Sequence, residues 1–257
     1  MLFDSHAHLN YEGFDKAKRA AFIKEIEGSD VSHVVDIGYD LESSALAAKH
    51  AEEYPWCYAT VGFHPHDSKK MEDTDLDIIK ALAKKPKVVA IGEAGLDFYR
   101  NHSPQDVQKE CFRKQIRLAV ELKMPLVVHS RDADLDTMNI LKGEGAFSNI
   151  RVLLHCFSGS KETAKQYIKL GAMISIAGPV TYSKAKKTVE VVEEIPIEYL
   201  LIETDAPYLT PEPVRTERNK VPYIKYTAQK IADIKGISFE EAARITHVNA
   251  KRFYGID

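Results

Sequence analysis

Short apolar runs alternate with helical segments along the whole chain, and this alternation constrains the fold more than any other feature. Eight runs rich in β-branched residues or leucine have the character of strands. They are Leu2–His8, Val31–Gly38, Cys57–Phe63, Val88–Glu93, Met124–His129, Ile150–His155, Ala172–Ile176 and Glu198–Ile202. No linker or change of composition divides the 257 residues. The pattern predicts an α/β protein with one domain over residues 1–257, a single (β/α)8 TIM barrel, rather than an open doubly wound sheet.

Two of the helical segments begin with recognisable capping signals. The segment SPQD predicts Ser103 as the cap and Pro104 as the first residue of a helix that runs to Lys123. The segment SFEE predicts a capping box at Ser238, which starts a final helix that ends at Tyr254.

Residue types that bind metals recur where the predicted strands end. His6 and His8 are alternate residues of the first strand, so both side chains point to the same face. Two histidines spaced in this way are as often structural as functional when they occur alone. Further histidines and acidic residues at later strand ends favour a metal site here. A closed barrel gathers these ends at one rim. The predicted metal ligands are His6, His8, Glu93, His129, His155 and Asp205.

Six ligands are more than one catalytic ion with an open position needs, so we expect two divalent ions about 3.5–4 Å apart. Glu93 is the natural bridge, because a carboxylate can give one oxygen to each ion. His6, His8 and Asp205 then hold one ion, and His129 and His155 hold the other. The mixture of nitrogen and oxygen donors suits zinc, manganese, iron or nickel better than magnesium.

Two acidic residues near the end of the eighth strand are the predicted catalytic groups. Asp205 can accept the proton of a water that the ions activate. Glu203 lies two residues earlier and faces the same way, so it can position water or bind metal. The alternative for Glu203 is a salt-bridged acid inside the barrel.

The predicted substrate-binding residues are His64 and Arg131, which directly follow strand ends. Arg131 can bind a phosphate oxygen through its planar guanidinium group. Other loop residues could contribute cations or stack on bases, although surface arginines are usually only solvated and loop aromatics often pack locally. They are Phe98, Tyr99, Arg100, Tyr208, Arg218 and Lys220.

Composition excludes several classes of protein. A formal net charge of −3 argues against a protein that coats nucleic acid, but not against an enzyme that cuts it, since bound metal supplies positive charge locally. Three cysteines without CxxC spacing do not indicate a disulfide framework. No apolar run approaches the roughly 20 residues that a membrane span needs. No glycine-rich phosphate loop is present. We therefore expect a cytoplasmic protein without a signal peptide, a membrane partner or a nucleotide cofactor. The oligomeric state stays open, with a monomer as one option.

Seven ordered motifs resemble the TatD family of metal-dependent hydrolases over the whole chain: DSHAHL, VGFHPH, GEAGLDFYR, HSRDA, HCFSG, ETDAPYLTP and VNAKRFYG. The resemblance implies an amidohydrolase-like barrel that binds divalent metals at the six positions named above. It also implies phosphodiester cleavage, typically the magnesium-dependent removal of nucleotides from DNA 3′ ends, with DNA as the substrate, either single-stranded or at its 3′ ends.

Two other functions remain open from the sequence. One is a hydrolase of the same fold that acts on a small-molecule amide, lactone, phosphodiester or aminoacyl ester; a deep, closed apolar pocket would favour it. The other is a binding or scaffold protein without catalysis, which is expected to lack some ligands, whereas all six positions hold ligand-type residues.

Overall fold

The computed structural model describes residues 1–257 and contains one eight-stranded sheet. Its strands follow one another in sequence order, each neighbouring the next. They are β1 (Leu2–Ala7), β2 (Val31–Ile37), β3 (Cys57–Val61), β4 (Val88–Asp97), β5 (Leu126–Arg131), β6 (Val152–Leu154), β7 (Met173–Ile176) and β8 (Leu200–Ile202). All eight predicted strands are present.

Neighbouring strands pair in parallel. This holds for β3 with β4, β4 with β5, β5 with β6, and β7 with β8. The segment after β8 returns to β1, because the Asp205 N–H donates to the His6 carbonyl at 2.9 Å and the His8 N–H donates to the Ala206 carbonyl at 2.8 Å. The first strand is thus joined to the last, and the predicted (β/α)8 barrel is confirmed.

Ten α-helices connect or follow the strands. They are α1 (Lys16–Glu27), α2 (Leu41–Glu53), α3 (Asp73–Leu82), α4 (Gln105–Leu122), α5 (Asp134–Gly143), α6 (Ala146–Asn149), α7 (Lys161–Lys169), α8 (Lys186–Glu194), α9 (Ile224–Lys235) and α10 (Phe239–Tyr254). None of them combines the length and apolar character that a bilayer crossing requires. All three cysteines are free.

The residues form two compact units, each with its own buried side chains. The first unit comprises Met1–Val35, Cys156–Ile168 and Met173–Asp257, and the second comprises Asp36–His155 and Lys169–Ala172. Phe3, Leu9, Ile26, Tyr167 and Phe253 are fully buried in the first unit, and Ile37, Ile79, Ile91, Leu96, Phe112, Ile116 and Leu126 in the second. One domain over residues 1–257 stays a prediction.

The two capping predictions had different outcomes. Ser238 caps α10 by accepting a hydrogen bond from the Glu241 N–H at 3.1 Å, as predicted. The assignment of Ser103 as the cap of α4 was wrong, since that helix begins at Gln105 with Pro104 before it. The Ser103 hydroxyl instead donates to the His66 carbonyl at 2.8 Å. It therefore holds the loop after β3 rather than the helix start.

Candidate metal centre

Two histidines and an aspartate lie together in the first unit and form what we call the first cluster: His6, His8 and Asp205. The Asp205 Oδ1 atom lies 3.6 Å from His6 Nε2 and 3.3 Å from His8 Nε2. His6 and His8 are buried, and the Asp205 side chain is 15% exposed. His6 lies in β1 and His8 directly follows it, and both imidazoles face the same carboxylate.

A buried carboxyl group, Asp4, fixes the backbone that carries this cluster. Its side chain accepts hydrogen bonds from the Thr204 N–H at 3.0 Å, the Thr204 hydroxyl at 2.5 Å and the His6 N–H at 3.2 Å. Burial raises the pKa of Asp4 to about 8, and these hydrogen bonds offset only part of that rise. Asp4 therefore ties the segment before Asp205 to the strand that carries His6.

Glu203 lies in the interior of the first unit. Its side chain is fully buried, and it accepts a hydrogen bond from the Ser175 hydroxyl of β7. Of the two predicted catalytic acids, Asp205 is the more accessible.

Three imidazoles converge on a single carboxylate oxygen in the second unit. Glu93 Oε1 lies 2.7 Å from His155 Nε2, 2.9 Å from His129 Nδ1 and 3.4 Å from His64 Nε2. The nitrogens of His129 and His155 are 3.1 Å apart. We call Glu93, His64, His129 and His155 the second cluster. It contains His64, which the sequence pattern indicated as a substrate-binding residue.

Burial and hydrogen bonding act differently on the histidines of this cluster. Burial lowers the pKa of His64 well below its ordinary value, and the nearby Glu93 carboxylate offsets only part of that effect. Burial alone would lower the pKa of His129 too, but hydrogen bonds with Asp97 and Glu93 outweigh it and leave that pKa raised. The two histidines thus differ because only His129 contacts a second carboxylate.

That second carboxylate, Asp97 at the end of β4, was missed by the sequence reasoning. Its Oδ2 atom lies 2.8 Å from His66 Nε2 and 3.4 Å from His129 Nε2. Burial opposes its ionisation, but hydrogen bonds from His129 and His66 hold the pKa of Asp97 below its usual range. Carboxylates commonly orient metal-binding imidazoles in this way from the far ring nitrogen. Asp97 therefore orients His129 while His129 Nδ1 faces Glu93.

Close approach of two strands makes this arrangement possible. In the ladder between β4 and β5, Gly95 lies opposite His129 and Asp97 lies opposite Arg131. A Cβ atom at Gly95 would lie 1.9 Å from the His129 carbonyl oxygen, so only glycine fits there. The register then brings Asp97 alongside the ring of His129.

The donor sets fit divalent transition metals. The first cluster offers two imidazole nitrogens and a carboxylate oxygen, and the second offers three nitrogens and a carboxylate oxygen. Ligand atoms of His64, Glu93 and His129 all lie within 4.8 Å of one another, as the ligands of one ion do. Such mixed sets suit zinc, manganese, iron or nickel.

The loop residues predicted to contribute to substrate binding differ in their surroundings. Arg131 ends β5, and its guanidinium carbon lies 4.0 Å from the centre of the Tyr99 ring. Tyr208 packs edge-on against His8, with ring centres 5.9 Å apart. Lys220 forms an ion pair with Glu25 at 3.0 Å, which partly neutralises its charge.

Comparison with known proteins identifies the chain's relatives. Residues 3–255 match the family described as TatD related DNase. The chain belongs to this family. A Bacillus subtilis relative named "Uncharacterized metal-dependent hydrolase YabD" is 47% identical over 257 residues, which covers 100% of both chains.

Other TatD-family relatives carry more specific names. The Escherichia coli protein named "3′-5′ ssDNA/RNA exonuclease TatD" is 38% identical over 266 residues, with 99% of each chain covered. The crystal structure of YJJV, a TatD homologue from E. coli, superimposes with a TM-score of 0.92 at 26% identity, covering 100% of this chain and 98% of that one. The predicted family, its barrel fold and its class of metal-dependent hydrolase are thereby confirmed.

Proposed function

We propose that this TatD-family chain is a divalent-metal-dependent exonuclease that removes nucleotides from the 3′ end of single-stranded DNA. The observation that carries the metal-dependent chemistry is the convergence of three imidazole nitrogens on one oxygen of Glu93, at 2.7 to 3.4 Å. The substrate class is supported by full-length similarity to relatives named 3′-5′ ssDNA/RNA exonuclease.

We further propose that both clusters serve one centre with two divalent ions. His6, His8 and Asp205 would hold one ion, His129 and His155 the other, and Glu93 would bind both. His64 joins the second ion's ligands in this proposal, since its Nε2 atom faces Glu93. Support comes from the fold, because active sites of (β/α)8 barrels lie where the strands end, and each of these residues lies within four residues of the C-terminal end of a strand.

The protein's own groups would then divide the work of hydrolysis. Divalent ions, when bound, lower the pKa of a water and stabilise negative charge on a phosphate oxygen. Asp205 accepts the proton of the attacking water as its oxygen bonds to phosphorus, and the bond from phosphorus to the leaving sugar oxygen breaks. Glu203 helps position that water. Arg131 binds a phosphate of the strand through its guanidinium group.

Two further properties belong to this proposal. The free state of all three cysteines supports the cytoplasm as the compartment, since thiols stay reduced there. A monomer is proposed as the active form.

The test uses purified protein with single-stranded DNA labelled at its 5′ end, so that loss of nucleotides from the 3′ end gives a ladder. Manganese, zinc, nickel, iron and magnesium are each added to chelator-treated protein. We expect metal-dependent shortening, and we expect His129→Ala to abolish it. An unaffected His129→Ala variant would refute the site. Hydrolysis of small esters or lactones without any shortening of DNA would refute the substrate.

A further inference from the structure

An exposed tyrosine lies close to two guanidinium groups at the ends of β4 and β5. Tyr99 is 59% exposed. The guanidinium carbon of Arg131 lies 4.0 Å from the centre of its ring, and that of Arg100 lies 5.7 Å away. A distance of 4.0 Å means that the Arg131 group rests directly on the ring.

Backbone contacts hold this group in place. The Phe98 N–H donates to the Arg131 carbonyl at 2.9 Å, which joins the loop to the end of β5. The Arg100 N–H donates to Asp97 Oδ1 at 2.8 Å, so the carboxylate that orients His129 also fixes this loop. Arg131 follows His129 by two residues on the same strand, about 6–7 Å along it. Tyr99, Arg100 and Arg131, which we call the platform, are therefore fixed next to the second cluster.

The charge on this platform has no carboxylate partner. Neither Arg100 nor Arg131 forms an ion pair, and both are exposed. Two other arginines show the contrast: Arg117 pairs with Glu144 at 2.8 Å, and Arg215, which also stacks on a tyrosine, pairs with Glu212 at 3.5 Å. Stacking covers the face of a guanidinium and leaves its in-plane N–H groups free. Two parallel donors of this kind match the oxygens of a phosphate.

We propose that Arg131, held flat by Tyr99, binds a backbone phosphate of single-stranded nucleic acid adjacent to the phosphate being cut. Tyr99 is the positioning residue, and Arg100 adds a second positive charge. The inference rests on the proposed function and deepens it. It gives the site a preference for a polynucleotide chain over a small phosphodiester, which has no neighbouring phosphate to offer.

The test measures binding without turnover, so that it is independent of hydrolysis. Fluorescence anisotropy of a labelled ten-nucleotide single strand is recorded with the full-length protein in EDTA, over a range of salt concentrations. We expect Arg131→Gln to raise Kd about tenfold, since a charge-assisted pair is lost. We also expect the slope of log Kd against log salt to fall by about 0.7, the value for one phosphate contact on a single strand.

Matched variants separate the stack from the charge. Tyr99→Phe keeps the ring and should bind like the parent, whereas Tyr99→Ser should weaken binding several-fold. Arg131→Lys keeps the charge but neither stacks as well nor offers two parallel donors, so it should bind more weakly than the parent. Arg244→Gln on the exposed face of α10 removes the same charge from an unpaired arginine and serves as the control.

The outcomes are distinguishable from failure of the proposed function. Weaker binding with Arg131→Gln and Tyr99→Ser, but not with Arg244→Gln or Tyr99→Phe, supports the subsite even if no DNA is hydrolysed. An unchanged Kd and salt slope for Arg131→Gln would overturn it, even if the protein proves to be an active exonuclease. Equal weakening by Arg131→Gln and Arg244→Gln would also overturn it, because the effect would then be general charge attraction.

Discussion

The first and second clusters are built from the same residue types but are supported in different ways. In the first, His6 and Asp205 are held through backbone hydrogen bonds between β1 and the segment after β8, and through the buried Asp4. In the second, imidazole nitrogens contact Glu93 directly, with Asp97 behind His129. Replacing the supporting residue Asp4 should therefore lower the stability of the fold, whereas replacing Asp97 should lower the metal affinity of the second cluster.

The largest effect is expected at Glu93. Glu93→Gln removes the oxygen charge on which three imidazoles converge, and the amide is a weaker ligand. We expect activity to fall by more than about a thousandfold, since metal stabilisation is worth several kcal/mol. Hydrolysis of the labelled DNA and the metal content per chain measure this. A variant that keeps both activity and metal would contradict the second cluster's role.

The next effect is on stability, at Asp4. Asp4→Ala leaves the Thr204 N–H and hydroxyl and the His6 N–H without their buried acceptor, so we expect a loss of about 3 kcal/mol in the free energy of unfolding. Urea unfolding measures it. Asp15→Ala removes an exposed cap of α1 and serves as the control, with a smaller expected loss. Similar losses of stability for the two variants would show that Asp4 supports folding around the first cluster no more than an exposed cap does.

At the second cluster the matching change is Asp97→Asn. It weakens the support of His129 without touching Glu93, so metal affinity should fall about 10–100-fold, a typical cost of losing such a partner. Calorimetric titration with manganese measures this, alongside urea unfolding. His66→Gln removes the other partner of Asp97 and should have a smaller effect on metal affinity. A large loss of stability with unchanged affinity would show that Asp97 resembles Asp4 after all.

The smallest effect is expected on the pH dependence of stability, through His247. Burial, with the positive charges of His33, Lys251 and the N-terminus, lowers the pKa of His247 to about 4. The neutral ring is favoured in the folded state, so its contribution is complete above the unfolded pKa of about 6.5 and is lost as the pH falls from there to 4.

Because the ring is half-buried, we expect only about 1 kcal/mol at pH 5. His247→Gln should flatten the loss of stability between pH 6.5 and 4.5, measured by urea unfolding. His102→Gln, at an exposed loop position, is the control. Equal pH profiles for His247→Gln and the parent would rule out this histidine as a source of acid sensitivity.

How far the sequence could predict this structure differs between the clusters. The period of two in β1 is enough to place His6 and His8 on one face, and apolar runs mark the strands that lead to His129, His155 and Glu93. Family resemblance adds the order of the motifs. These signals are local, so the sequence alone is enough to detect them.

The missed features depend on contacts between distant segments. The glycines of GEAGLD suggest that β4 stops at Glu93, whereas the strand continues to Asp97 because Gly95 allows close approach to β5. The partnership of Asp97 with His66 and His129 arises only from that register. Ser103 likewise has the sequence of a cap, but its hydroxyl is used by the His66 carbonyl, 37 residues away in sequence.

The central claim is that Glu93 and the histidines around it bind divalent ions that the enzyme needs. Anomalous diffraction from manganese-soaked crystals of the parent and of Glu93→Gln tests it most directly. We predict two manganese peaks per chain in the parent, both in contact with Glu93, and the loss of at least one in the variant. Peaks remote from Glu93, or an unchanged pair in the variant, would contradict the account.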